Sequence, residues 1–360
     1  MKKTVLLFLL FLLLCSPVHA AMDVQIIVTT SPESPFYSHL SIQDKYGLAA
    51  SITQSPAIPT KQLPELPRAT VRIGEKTYVY DSFSRMYDTG QNKQVLLPVK
   101  VQTELEKRIS QVEKAHFGEP LDWESVRKTF RRMGYADVID METGATFRVQ
   151  RRAGSRHADV QPLTKQDTKI MKQVYQGNWS WKRRAVLVAV DGKKYAASMN
   201  GMPHGAGAIA GNNFRGHFCI HFKGSTLHRR RSNTPDPGHS LMVLKASGAL
   251  RQTVIQADPQ QLVDIFLTSL QEQDKSTLDM TTNGFPLPFS VKEIHSVKKN
   301  SLANQTAGLF TAVVPVNISY QSGKEKKNGV WVFFLNRATP FDRWKITSLK
   351  IDSPSRPSRR

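Results

Sequence analysis

Apolar and polar residues alternate along much of this chain with the period of two that marks strands, and the helical period is confined to a few blocks. Residues 24–29 read as a short strand, which Ser31 to Pro35 interrupts. Closely spaced Pro56, Pro59, Pro64 and Pro67 mark a looser stretch. Residues 69–80 read as a hairpin turning at Gly74-Glu75-Lys76. Residues 96–101 are a further strand candidate, and residues 104–115 a helix with Leu105, Ile109 and Val112 on one side.

The middle of the chain opens with a helix over 121–133, with Asp122 as N-cap and Gly134 as its stop. Strands follow at 136–141 and 146–151 around Thr143-Gly144, then a helix over 162–174 with Thr164 as its cap. Residues 185–190 form a buried strand candidate that turns at Asp191-Gly192 and returns over 194–199. A strand over 218–222 and a helix over 240–249 close this part. Beyond it, Asp258-Pro259 starts a helix with Leu262, Ile265, Phe266 and Leu270 on one face. Strand patterns then occupy 290–297, 309–319, 329–335 and 344–351. One helix followed by long antiparallel strands resembles the curved-sheet fold typified by nuclear transport factor 2, a likeness of order and length that carries no function.

The ends change the picture. Lys2-Lys3, an apolar run from Val5 to Leu14, and Ser16-Pro17-Val18-His19-Ala20-Ala21 have the layout of a secretory leader. The run is too short for a spanning helix, which needs about 20 apolar residues. Leu14 is not the small residue that lipidation at Cys15 would require. The expected organisation is a leader over 1–21, a β-rich accessory region over 22–116, a catalytic unit over 117–252, an α+β unit over 253–352 and a disordered basic tail over 353–360. The expected fold class is mainly β with α+β.

The formal net charge is +21, and removing the leader with its two lysines leaves the chain strongly basic. For an exported protein this points away from nucleic acid and towards an anionic wall polymer or membrane surface. Lys182-Arg183-Arg184 and His228-Arg229-Arg230-Arg231 flank the chemically richest stretch, and the second run reads as a solvated basic loop or as an electrostatic guide. No later segment is apolar enough to span a membrane, so the expected location is extracytoplasmic and wall-associated.

That stretch is residues 203–221, PHGAGAIAGNNFRGHFCIH. The chain has 2 cysteines, Cys15 and Cys219, so loss of the leader would leave one thiol. Such a thiol is either a buried small residue or a nucleophile. Strand alternation puts His217, Cys219 and His221 on one face and turns Phe218 and Ile220 inwards. An imidazole then stands on either side of the sulfur, while Gly207, Gly211 and Gly216 allow turns that aim amide N–H groups at an oxyanion. Nucleophile, base and donors together are what acyl transfer through a thioester requires.

His204-Gly205, the glycine-containing spacer and Gly216-His217-Phe218-Cys219-Ile220-His221 resemble the signature of the L,D-transpeptidase catalytic domain of the YkuD type. That signature has His-Gly, a spacer, then Ser-His-Gly-Cys, an aliphatic residue and Arg. The resemblance implies a β-rich catalytic domain, Cys219 as acyl-accepting nucleophile and His217 as its base. It places His204, Gly205, Gly216, Phe218 and His221 at the pocket. It implies transfer or trimming of peptidoglycan stem peptides, with neither metal nor organic cofactor. The chain departs from the pattern at Gly216 (Ser in the family), Phe218 (Gly) and His221 (Arg), and so resembles a divergent branch.

Two other classes fit the same residues. A non-catalytic wall-binding protein on a degenerate enzyme fold would account for Phe218 and His221. A zinc-dependent peptidase would use His157-Ala158-Asp159 and later histidines, although no His-Glu-x-x-His helix is present. Otherwise His157 and Asp159 are read as a loop network near the site.

Overall fold

The computed structural model of this chain describes residues 23–44, 47–227, 234–302 and 305–352. The expected leader with Cys15, the basic run 228–231 and the tail over 353–360 lie outside the described residues. The architecture is mainly β with α+β character: two open sheets and a closed barrel between them in sequence.

The first sheet has the order β2-β1-β4-β5-β6-β7-β3. Its strands are β1 (Val24–Thr29), β2 (Tyr37–Ile42), β3 (Ala57–Pro59), β4 (Pro67–Ile73), β5 (Lys76–Asp81), β6 (Met86–Asp88) and β7 (Lys93–Val95). The β4–β5 hairpin turns where the sequence predicts it. Helix α1 (Leu48–Thr53) and the long α2 (Val99–His116) complete the unit. Leu105, Ile109 and Val112 of α2 join a core with Ile26, Val71 and Tyr80. Arg68 fixes the helix to β4 by bridging Glu106 at 2.8 Å and Glu113 at 2.7 Å.

The strand expected over 96–101 is instead the entry to α2. Pro98 sits at the N-cap with φ −59°, where its missing N–H costs nothing. Val101 then packs with the apolar stripe on the sheet, so tertiary burial overrides the β preference of Val101, while Val99 in the first turn stays exposed.

The barrel runs β10-β13-β12-β11-β8-β9. It comprises β8 (Tyr135–Asp140), β9 (Thr146–Ala153), β10 (Ala158–Pro162), β11 (Arg184–Val190), β12 (Lys193–Met199) and β13 (Phe218–His221). Helix α3 (Trp123–Thr129) follows Asp122, and α4 (Lys165–Val174) starts at a capping box between Thr164 and Asp167. The β11–β12 turn puts Asp191 and Gly192 at φ 49° and 77°, the left-handed pair that a two-residue hairpin needs. Val138, Phe147, Val160, Val186, Val188 and Phe218 fill the interior. Ala185, Leu187 and Ala196 pack outwards into a second cluster, which explains why the β11 sequence is apolar at almost every position.

That second cluster joins the barrel wall to the C-terminal part. Helices α5 (Pro237–Ala246), α6 (Leu250–Gln256), α7 (Pro259–Glu272) and α8 (Lys275–Thr281) precede β14 (Ile294–Leu302), β15 (Thr306–Ala307), β16 (Thr311–Ser322), β17 (Glu325–Asn336) and β18 (Lys345–Asp352). The sheet order is β14-β16-β17-β18, with β15 on β16. Asp258 and Gln261 cap α7 reciprocally, and Phe266 meets Phe333 edge-on at 5.3 Å. Among the described residues no helix is long and apolar enough to cross a membrane.

One buried titratable group makes the fold pH-sensitive. His116, at the end of α2, is fully buried, with Nε2 3.0 Å from Thr30 Oγ1 and Nδ1 3.2 Å from Ser38 Oγ. Burial, aided by Arg251 and Lys194, lowers its pKa to about 4, against about 6.5 in an unfolded chain. The folded state therefore resists a proton that the unfolded state accepts. This contribution is whole above the unfolded value and is lost as pH falls towards the folded one, by up to about 3 kcal/mol. Urea unfolding of His116→Gln should show a shallower loss of stability between pH 7 and pH 4.5 than the unmodified protein. Equal slopes would assign the acid sensitivity to other groups.

Candidate active site

The site is built where β10 and β13 close the barrel. Their antiparallel register pairs Ala158 with Ile220, Asp159 with Cys219, and Val160 with Phe218. Alternation sends Ala158, Val160, Phe218 and Ile220 into the barrel core. The partners between them, Asp159 and Cys219, therefore share the outer face. Phe218 is fully buried against Phe147 and Phe214, so it does not line a pocket; the period of two overrules its place in the signature.

Ahead of β13, His217 pairs with His204 through two backbone hydrogen bonds of 2.9 and 2.8 Å. The glycines permit this approach. Gly205 has φ +62°, and a Cβ there would lie 2.4 Å from His217 Cε1. Gly216 has φ +86°, and a Cβ there would lie 2.3 Å from the His204 carbonyl oxygen. The His-Gly and Gly-His pairs thus interlock, each glycine making room for the other pair's histidine.

The imidazole at hydrogen-bond distance from the sulfur is that of His204, not His217. His204 Nε2 lies 3.3 Å from Cys219 Sγ, and its Nδ1 is 2.8 Å from the Met202 carbonyl. A proton on Nδ1 satisfies that carbonyl and leaves the Nε2 lone pair facing the thiol. Burial lowers the His204 pKa, with a smaller contribution from His217, so the ring is a neutral acceptor. His217 turns its Nδ1 to the Ala206 carbonyl at 3.0 Å, and its Nε2 is 3.9 Å from Asp159 Oδ1.

Asp159 completes the set, with Oδ1 3.8 Å from Sγ. Cys219 is 7% exposed. Burial, and then the Asp159 carboxylate, push its thiol well above the ordinary range. The resting pair is therefore a neutral thiol beside a neutral imidazole. Gln161, fully buried, accepts hydrogen bonds from Ala208 N at 2.8 Å and Ile209 N at 3.2 Å. It holds the loop between the two histidines and withdraws those N–H groups from any oxyanion role.

Behind the sulfur lies a layer of rings. His221 is stacked between His157 at 4.3 Å and His239 at 3.7 Å, so it backs the site and does not open onto a pocket. His157 directs Nδ1 to the Thr226 carbonyl at 2.8 Å and Nε2 to Asp159 at 3.1 Å. Asp159 lies in β10, whereas His157 stands just before it in the connection from β9, so the expected loop holds for His157 and not for Asp159. The strand escaped the sequence because its outward residues are polar; Ala158 and Val160 were the signal. His239 Nδ1 meets Ser198 Oγ at 2.8 Å, and burial holds its pKa well below the usual histidine range.

The sequence does not single out Trp181, and it marks Arg183 only as part of a basic run. Trp181, 53% exposed, leans its ring on His204 at 5.0 Å. Arg183 ties the same segment to Asp236 at 3.2 Å and to Glu272 at 3.1 Å. The signal for Trp181 was an aromatic among basic residues, which pattern alone does not place. Among the described residues, two donor sets close enough to hold a metal share the sulfur: His157, Cys219 and His221, and His204, His217 and Cys219.

No family model matches the chain, and no curated protein matches it. A solved structure, that of Bdellovibrio bacteriovorus Bd1075, is matched at 12% identity over 61% of this chain and 93% of that chain, with a TM-score of 0.23. At that TM-score the two folds are not equated.

The carboxylate across the ladder has a measurable effect. Asp159→Asn removes a negative charge that disfavours the thiolate, so the pH profile of Cys219 alkylation by iodoacetamide should move to lower pH. The unmodified protein should alkylate slowly at neutral pH and faster only above the ordinary thiol range, near 8.5. An unchanged profile in the variant would show that Asp159 does not govern the thiol.

Proposed function

We propose that this chain is an exported cysteine acyltransferase of L,D-transpeptidase type, acting on the stem peptides of peptidoglycan. The observation that carries the reading is the Cys219–His204 contact of 3.3 Å, with His204 held in the required tautomer by Met202. The interlocked His204-Gly205 and Gly216-His217 pairs, the β-rich barrel and the basic composition support it. The C-terminal helix-and-sheet unit fits the curved-sheet reading on the same terms.

In this mechanism Cys219 Sγ attacks the carbonyl carbon of a stem-peptide amide while its proton passes to His204 Nε2. The tetrahedral adduct collapses, and His204 returns the proton to the departing amine. A thioester on Cys219 remains. An amine or a water then attacks the thioester and gives its proton to His204, and collapse restores the thiol. Transfer and hydrolysis share every step but the acceptor. A neutral pair suits such general-base chemistry, because the proton moves only as the new bond forms. His204 thereby takes the base role that the signature suggests for His217. His217 stands next to it, facing Asp159.

The near-complete burial of Cys219, with its thiol held protonated, favours a second reading, a wall-binding protein that has lost turnover. Purified protein incubated with defined muropeptides separates the two. Loss of the terminal stem residue or formation of cross-links is expected, and Cys219→Ala should abolish it. His204→Ala should lower kcat by about a hundred- to ten-thousand-fold, and His217→Ala by less. Retention of turnover in His204→Ala would overturn the assignment, and binding without turnover would leave the second reading. Gly205→Ala forces a side chain onto the His217 ring and should lower kcat with little change in KM.

A further inference from the structure

We propose that Asp159, His204, His217 and Cys219 form a site for a thiophilic divalent cation of the zinc class, and that an ion held there takes the sulfur out of acyl transfer. The second half rests on the function proposed above; the first does not.

The donor set carries the argument. His204 and His217 each turn Nδ1 to a backbone carbonyl, of Met202 at 2.8 Å and of Ala206 at 3.0 Å. Metal-ligating histidines are held in this way, with the tautomer fixed from behind and Nε2 presented to the ion. The Nε2 of His204 lies 3.3 Å from Sγ, Asp159 Oδ1 lies 3.8 Å from Sγ, and His217 Nε2 lies 3.9 Å from Asp159 Oδ1. The donor atoms of His204, His217 and Cys219 all fall within 4.8 Å of one another. An ion with tetrahedral bonds of about 2.0–2.3 Å separates its ligands by about 3.3–3.8 Å. Shifts of a few tenths of an ångström to about an ångström close the set of His204, His217 and Cys219, and the Asp159 carboxylate stands beside it at 3.8 Å from the sulfur.

The chemistry matches as well. One thiolate, two imidazoles and one carboxylate suit zinc-class ions and not magnesium or calcium. On binding, the thiol proton leaves to solvent, and the thiolate and carboxylate together balance the two charges of the ion. A carboxylate that burdens the free thiolate becomes an asset beside a dication. The backbone is set in advance, because the His204–His217 bridge and the β10–β13 register fix all four Cα positions.

The alternative set of His157, Cys219 and His221 is poorer. His221 is clamped between two stacked rings at 4.3 and 3.7 Å, and turning it to an ion would break both stacks. Competition with catalysis follows from the shared atoms. An ion coordinated by Sγ and His204 Nε2 occupies the two lone pairs that thioester formation uses.

Cobalt(II), a spectroscopic stand-in for zinc, tests this on the intact protein after chelator treatment. One equivalent should bind with a sulfur-to-cobalt charge-transfer band and the visible bands of a four-coordinate ion, and zinc should displace it and slow alkylation of Cys219. Cys219→Ser should abolish the charge-transfer band. His217→Ala and Asp159→Asn should each weaken binding at least about tenfold, with circular dichroism confirming that each variant is folded. A spectrum without the sulfur band, or unweakened binding in both of those variants, would overturn the site. Loss of binding in His221→Ala but not His217→Ala would move the ion to the inner set and equally overturn it. Muropeptide turnover keeps the two readings apart. Cobalt binding with no turnover in either form defeats the acyl-transfer reading and leaves the site standing. Turnover by the metal-free form that zinc suppresses supports both. Turnover that requires zinc overturns the blocking role.

Discussion

The pairing of Asp159 with Cys219 across the seam of the barrel is the contact from which the rest of the site follows. A strand has only two faces, so one register decides the environment of every side chain on it. With β10 and β13 aligned as they are, four apolar side chains close the barrel core, and the carboxylate meets the thiol outside. A slip of one residue in β13 would turn Cys219 inwards among Phe147 and Phe214, away from Asp159, and would expose Phe218 and Ile220. The packing of Phe218 on those two rings, at 6.2 and 5.8 Å, is therefore as much a part of the site as the sulfur is.

The outer face of that seam is not left to solvent. His157, His221 and His239 stack behind the sulfur, and Ser198 and Asp159 satisfy the outer rings. His239 rides on α5, whose Leu241, Met242 and Ala246 belong to the apolar cluster shared with the C-terminal sheet. Asp236, which caps α5, also receives Arg183, and Arg183 reaches on to Glu272 at the end of α7. Buried polar layers are costly unless fully paired, and when paired they hold neighbouring elements in a single arrangement. The C-terminal part thus bears on the site through a continuous set of stacked rings and ion pairs.

Burial also sets the character of the chemistry. Removing water around Cys219 and His204 penalises the charged form of each, so the ion pair of thiolate and imidazolium is disfavoured at rest. Asp159 deepens that preference for the thiol. The same carboxylate would favour any positive charge arriving at the sulfur. One arrangement of four side chains therefore suits both a proton that moves only during attack and a cation that replaces that proton.

Much of this was legible in local patterns. The hairpin at Asp191-Gly192, the caps at Thr164 and Asp258, the β4–β5 hairpin and the strand carrying Cys219 all depend on residues within a few positions of one another. Alternation likewise foretold that His217, Cys219 and His221 share a face and that Phe218 turns inwards. What the chain order could not convey was which histidine meets the sulfur. His217 is two residues from Cys219 and His204 is fifteen, yet the ring of His204 makes the contact. The direction of each ring is set by the carbonyls of Met202 and Ala206, and their positions exist only once the loop has folded onto Gln161. The helix at Val99 and the strand at Ala158 were hidden for a related reason: their partners, the first sheet and β13, are distant in sequence. The sequence by itself determined the chemical groups, their faces and the local turns, because those follow from bonded geometry over a few residues. Tertiary structure decided the partners of those groups, because ring orientation and burial depend on atoms that the chain brings together only by folding.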